Sequence, residues 1–251
     1  MNKLLLQSTA MAPRRQAGFS LIELMIAIVI AMVVTAGAIA VFGNMRSTFT
    51  TQDKLGQLQD NQRLALNVLN TTVQSAGFFP DPTIHTAAGV FAAAASANSD
   101  GTTFVAEGII IGTGATTAAS DVLNVRFSGS TRDNVMDCQG GLFAQAASAV
   151  SLTNAVSTFE VINNQLTCRV NGGTAVALVD NVSSMKVSYL VAKSAGSYAY
   201  MDAPSVTTGA FWPNVTGVRI KLQFIDPLKT GNQSLPYSNT QIINLMNKSS
   251  S

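Results

Sequence analysis

Chemistry at a protein surface needs bases, nucleophiles and ligands within reach of one another, and this sequence is sparing with all of them. It contains one histidine, His85, and two cysteines, Cys138 and Cys168. A Ser–His–Asp or Cys–His arrangement would have a single candidate base, and no local nucleophile signature accompanies it. His85 reads instead as a surface-loop side chain. The cysteines have no CxxC spacing and no second histidine to complete a zinc set. Two readings stay open for them: a disulfide, favoured if the domain lies outside the cytoplasm, and a pair of buried thiols. Asp133 and Asp137 flank the turn before Cys138 as carboxylates that calcium accepts. No alternating ligand loop with a closing glutamate follows, so solvated loop acids is the preferred reading. Gly112-Thr113-Gly114 lacks the third glycine and following helix of a dinucleotide site. The sequence offers no catalytic residue, no cofactor-binding residue and no metal set, and reads as a non-enzyme.

One ionisable residue stands apart. Glu23 sits at the mouth of an apolar run, and from Leu24 to Met45 there is no charge. Such a run is long enough to cross a bilayer as a helix. A carboxylate at full depth there costs about 2.5 kcal/mol or more. Upstream, Lys3, Arg14 and Arg15 give the first eighteen residues a charge of +3; the whole chain carries +2, so the remainder is 2 − 3 = −1. That subtraction leaves no basic patch of nucleic-acid type, and no nucleic-acid partner is expected. An ordinary secretory signal, cut near Ala36-Gly37-Ala38 or Ala38-Ile39-Ala40, would have an apolar core of about 7–15 residues, shorter than this one. A plain signal anchor explains the basic residues through the positive-inside rule but leaves Glu23 unexplained.

The stretch "AGFSLIELMIAIVI" resembles the processing and assembly motif of type IV pilins and the related pseudopilins. The resemblance runs in family order through Gly18, Phe19, Ser20, Leu21, Ile22, Glu23 and Leu24. It implies that residues 1–18 form a leader removed by a prepilin peptidase between Gly18 and Phe19. Phe19 then becomes an N-methylated first residue, and Glu23 the fifth. A new α-amino group, with an ordinary pKa of about 7.7–8.0, is a partner for a carboxylate in low dielectric, where either charge alone is penalised. In that family the glutamate of one subunit is thought to meet the amino terminus of a neighbour, which makes Glu23 a selector of register. The alternative is a glutamate that reaches the headgroups.

These residues require a long carrier. Residues 19–45 read as a membrane and filament-core helix, and 46–79 as its amphipathic continuation. Leu58, Ala65, Leu66, Leu69, Val73 and Ala76 recur at spacings of three, four and seven, one face of a helix. Gly77, Pro80 and Pro82 form the stop. A helix from Phe19 to Ala76 would be about 87 Å long. Gly37 and Gly43 are its weak points, and a break between Gly43 and Thr51 is the competing reading. The stretch "QDNQRLALNVLNTTVQSAGFFPDP" resembles the helix end of PilW-like minor pilins, with the J pseudopilin of type II secretion as the nearest relative.

Residues 80–251 read as a β-rich periplasmic or extracellular domain. Residues 83–103 look like an irregular loop. Short β-like runs occupy 104–111, 121–127, 157–162 and 165–170, and period-two alternation marks 182–192 and 215–226, the pattern of half-buried antiparallel strands. Asn163-Asn164 and Gly172-Gly173 are turn signals. Phe211, Trp212, Tyr198 and Tyr200 read as core or sheet-edge side chains rather than an aromatic contact surface. The expected fold is α+β, a long N-terminal α-helix packed on an antiparallel sheet. Segments 178–191 and 212–224 again resemble the sheet of PilW-like proteins. The resemblance implies a minor pilin held in the bacterial inner membrane with its C-terminal domain periplasmic, then built into a type IV pilus. Its partners would be other minor pilins, the major pilin, the prepilin peptidase, the inner-membrane assembly platform and membrane lipid. The competing functions are a type II secretion pseudopilin and a signal-anchored periplasmic enzyme or binding module.

Overall fold

The computed structural model of the chain describes residues 18–93, 101–114, 120–129, 133, 135–141, 152–194, 196–229, 231, 233–236 and 239–247. The leader cations Lys3, Arg14 and Arg15 lie outside the described residues. The chain divides into two compact units, Met1–Gln52 and Asp53–Ser251.

Helix α1 spans Leu21–Gln74 without interruption. It passes through Gly37 and Gly43, so the break considered between Gly43 and Thr51 does not occur. In the second unit one face of α1 is buried through Ala65, Leu69, Thr72 and Val73, followed by Ala76, with Leu58 and Leu66 partly covered. The apolar spacing read from the sequence is therefore the packed face. Burying such leucine and valine side chains is worth about 1.5–3 kcal/mol each, which holds this part of the helix to the domain. The helix ends at Gly77, whose φ of 72° is left-handed. A Cβ there would come within 2.9 Å of Ile109 and 3.2 Å of the Asn247 carbonyl oxygen, so glycine meets both the conformational and the packing demand.

The remaining chain forms two antiparallel sheets where one was expected. The first is a meander in sequence order: β1 (Ile110–Thr113), β2 (Val122–Gly129), β3 (Thr153–Ile162), β4 (Gln165–Val170) and β5 (Val176–Asp180). The second contains β6 (Val182–Ser194), β7 (Ser197–Met201), β8 (Val215–Phe224) and β9 (Asn239–Asn244) in the order β7-β6-β8-β9. One residue separates β5 from β6. Asn181 takes a φ of 63°, the Val182 N–H bonds the Asn164 carbonyl at 3.0 Å, and β6 then pairs with β7 and β8 instead of β5. Both sheets and α1 contribute to a single hydrophobic core containing Leu69, Phe127, Phe159, Tyr189, Ile220 and Phe224.

Where the sheets meet, Asp121 accepts from the Val187 N–H at 2.8 Å and from Lys186 Nζ at 3.0 Å. Asp202 caps the short helix α3 (Ala203–Thr208) by accepting from the Ser205 N–H at 3.2 Å. Another short helix, α2 (Ala87–Val90), interrupts what the sequence suggests is plain loop.

Local turns refine the expected strands. The run at 104–111 enters β1 only at Ile110, because Glu107 takes a φ of 57° and the Gly108 N–H folds back to the Val105 carbonyl at 3.0 Å. Asn163 and Asn164 turn β3 into β4 with φ values of 51° and 60°, the mirror-image hairpin turn that asparagine tolerates. After β4 the left-handed pair is Asn171 and Gly172, one position before the expected Gly172-Gly173. Trp212 is a core residue whose ring meets that of Tyr189 edge-on at 4.8 Å. Tyr198, on edge strand β7, instead stays 60% exposed.

Candidate functional site

The amino-terminal half of α1 carries the candidate residues. Ser20 begins the helix, its carbonyl accepting from the Glu23 N–H at 3.0 Å and the Leu24 N–H at 3.2 Å. Glu23 falls in the first turn, where the positive end of the helix dipole favours an anion. Every residue from Gly18 to Thr50 is exposed. Phe19 is 82% exposed, and Leu21, Ile22, Leu24 and Ile30 project apolar surface on several sides of the helix. A helix apolar all round satisfies its backbone internally and requires an apolar surrounding. This helix is long and apolar enough to cross a membrane. Thr35, a polar residue within the apolar stretch, returns its hydroxyl to the Ala31 carbonyl at 2.7 Å. That bond removes the need for an external partner.

The second pair of sequence candidates lies in the domain. Cys138 and Cys168 form a disulfide with a Cα separation of 6.2 Å, within the range that geometry allows. Asp137 has a structural task beside it: one carboxylate oxygen accepts from the Gln139 N–H at 2.8 Å and the Gly141 N–H at 2.9 Å. The Gln139 side chain then donates to the Cys168 carbonyl at 3.0 Å. The turn is thus organised by Asp137 and tied to β4, and both sulfurs are taken up in the bridge. His85 closes a turn through its N–H to the Asp81 carbonyl at 3.0 Å.

Sequence reasoning missed Arg126. It lies in β2 with 2% of its surface exposed. Its guanidinium donates to the carbonyls of Gly108, Ala92 (2.9 Å), Phe91 (3.2 Å) and Val105 (3.4 Å). It also lies 4.6 Å from the Phe104 ring centroid and 5.2 Å from that of Phe91. Burial pushes its pKa down to about 10, which leaves the group protonated at neutral pH. A ring of carbonyl dipoles and aromatic faces accommodates the cation without a carboxylate. The arrangement fastens Phe91, Ala92, Val105 and Gly108 to the outer face of the first sheet; it is scaffold.

Residues 13–39 match the family model described as the prokaryotic N-terminal methylation motif. The amino-terminal segment carries this methylation motif. The match includes Gly18, Phe19 and Glu23 and extends into the apolar helix. The segment is suited by motif, length and composition to anchoring the chain in a membrane. Among solved structures, the chain is similar to one chain of the GspK–GspI–GspJ complex from the type 2 secretion system of enterotoxigenic Escherichia coli. The identity is 11% and the TM-score 0.40, over 76% of this chain and 97% of that one. No curated protein matches the sequence. The fold that carries this motif is α+β.

Proposed function

We propose that the chain is a minor pilin of the PilW-like kind, which helps to initiate assembly of a type IV pilus and is built into it. The observation that carries this reading is the methylation motif at residues 13–39, continuous with a helix exposed on every side and bearing Glu23 as its early charge. In this reading the prepilin peptidase cuts between Gly18 and Phe19, and Phe19 is methylated. The protein is stored in the inner membrane with the domain in the periplasm, and it joins other minor pilins and the major pilin at the assembly platform. The apolar helix passes from lipid to a sheath of neighbouring helices, and Glu23 meets a neighbour's amino terminus, which penalises any other axial register. The role is structural and not catalytic, supported by cysteines that are bridged and a single loop histidine.

Mass spectrometry of the mature amino terminus is expected to find methylated Phe19; an end at Ile39 or Val41 would establish an ordinary signal peptide and overturn the reading. Glu23→Gln keeps size and hydrogen bonding but removes charge. It is expected to leave leader removal and membrane residence intact while lowering the ratio of the protein in sheared filaments to membranes. Unchanged incorporation would reduce Glu23 to a residue that reaches the headgroups. Crosslinking in the membrane separates the pilus from the secretion pseudopilin by which subunits co-purify.

A further inference from the structure

The two sheets differ in what lies over their outer faces. Phe91, Ala92, Phe104, Val105 and Gly108 lie over the outer side of the first sheet at Arg126, and Asn124, Arg126 and Ser128 are buried there. In the second sheet, Val187, Tyr189, Val218, Ile220 and Leu222 turn into the core, and the alternate residues point outward. The cross-strand register places Ser188, Arg219 and Ile242 in one outward row and Lys186, Lys221 and Thr240 in the next. Ile242 is 56% exposed. Strands β6, β7, β8 and β9 contain Lys186, Lys193, Arg219 and Lys221 and no aspartate or glutamate. Lys186 is paired with Asp121. Among the described residues no carboxylate pairs with Arg219 or Lys221.

The same face carries rings. Tyr198 and Tyr200 lie two residues apart on edge strand β7, so both side chains leave one side of the strand about 7 Å apart. Both are exposed, Tyr198 the more so. The Arg219 guanidinium lies 4.2 Å from the Tyr200 ring centroid, a planar cation laid on an aromatic face.

We infer that this face binds single-stranded nucleic acid. Unpaired bases stack on aromatic rings and guanidinium planes, while lysines and arginines beside them take the phosphates. Tyr198, Tyr200 and Arg219 supply the stacking surfaces; Arg219 and Lys221 supply the charge. An acidic protein segment or an anionic membrane would engage the cations but gives the two rings no matching planar group, and the pairing of both features favours a nucleic acid. The near-neutral charge of the whole chain conceals this face, because the cations are segregated onto four strands that contain no acid.

The test uses the full chain in a neutral detergent and a fluorescein-labelled oligothymidylate of about 20 nucleotides, followed by anisotropy at several salt concentrations. Saturable binding is expected, with log affinity falling against log salt at a slope of about −1.4, as two phosphate contacts to a single strand give. Replacing Tyr198 and Tyr200 together by alanine is expected to weaken binding by about tenfold or more with the slope unchanged. Arg219→Gln with Lys221→Gln is expected to flatten the slope, while Lys54→Gln, on α1, changes neither reading. Circular dichroism of each variant establishes that the fold is retained. No saturable binding at the lowest salt would overturn the proposal. So would binding that the double tyrosine variant retains in full, or phosphatidylglycerol vesicles that compete as well as unlabelled oligonucleotide.

Discussion

The five-stranded and four-stranded sheets share one core, yet they solve the problem of their outer faces in opposite ways. The first lays the backbone at 91–92 and 105–108 over β2 and locks it with Arg126, whose donors meet four carbonyls. The second leaves Ile242 exposed, and Arg219 and Lys221 partly so, beside two tyrosines on an edge strand. Both faces are built from alternating strands with a central arginine. The difference teaches that an arginine in a strand is read by what lies above it: under a loop it is a structural clamp, and in the open it is a contact residue.

The largest expected effect comes from unlocking the covered face. Arg126→Met removes the donors but keeps the acceptors. With a buried polar group left unpaired costing about 1–3 kcal/mol, several orphaned carbonyls after partial relaxation sum to about 4 kcal/mol, measured by denaturant unfolding. The pH dependence has a definite sign. Burial lowers the folded pKa of Arg126 to about 10 from 12.5, so between these values the unfolded chain binds the proton and the folded chain does not. This group's contribution to stability therefore rises with pH in that window and is flat below it. The loss in Arg126→Met is accordingly expected to be equal at pH 6 and pH 8; a loss that changes between them would contradict a cation held in its charged form.

Next is the clamp on β4. Opening the Cys138–Cys168 bridge, with its sequence separation of 30, is expected to cost about 3.5 kcal/mol from loop entropy. Non-reducing peptide mapping of exported protein checks that the bridge forms, and unfolding of Cys138→Ser measures its worth. Where the sheets join, Asp121→Ala leaves the Val187 N–H without its acceptor and is expected to cost about 2 kcal/mol, with Asp121→Asn less damaging. On the open face, Ile242→Thr is expected to alter stability by about 0.5 kcal/mol or less. A loss at Ile242 as large as that at Asp121 would show that this face is covered after all and would end the contrast between the sheets.

The sequence made one side of each of these elements readable. Ala65, Leu69 and Val73 announce the buried helix face by their spacing, and Val218, Ile220 and Leu222 announce that of β8 by alternation. Such patterns report which residues face a core but not which strand lies alongside, and for that reason a division into two sheets at Asn181 was not visible. Arg126 stayed hidden for a related cause. Leu123, Val125 and Phe127 alternate with Asn124, Arg126 and Ser128 as in a half-wet strand, and the cover over Arg126 comes from residues 91–92 and 104–108, which have no period to read. Strands β5, β7 and β9 lie at or near sheet edges, where one neighbour is missing and the pattern of burial is correspondingly weak. The amino-terminal candidates were legible for the opposite reason: Gly18, Phe19 and Glu23 act through local sequence, which needs no fold to be recognised.

The end of α1 is also where a pulling load would leave the helix. Four bonds gather within a few residues: the Gly77 N–H to the Arg126 carbonyl at 2.9 Å, the Ser128 N–H to the Phe78 carbonyl at 2.8 Å, and the Asn247 side-chain amide to the Gln74 and Ala76 carbonyls at 3.2 and 3.3 Å. The first two deliver tension to β2, an interior strand with neighbours on both sides, and the last two brace the final turn with residues from the far end of the chain. Force arriving along the helix is thereby divided between two anchorages before it reaches any edge strand. A subunit fastened in this manner gives way by shearing several bonds together instead of unzipping them one at a time.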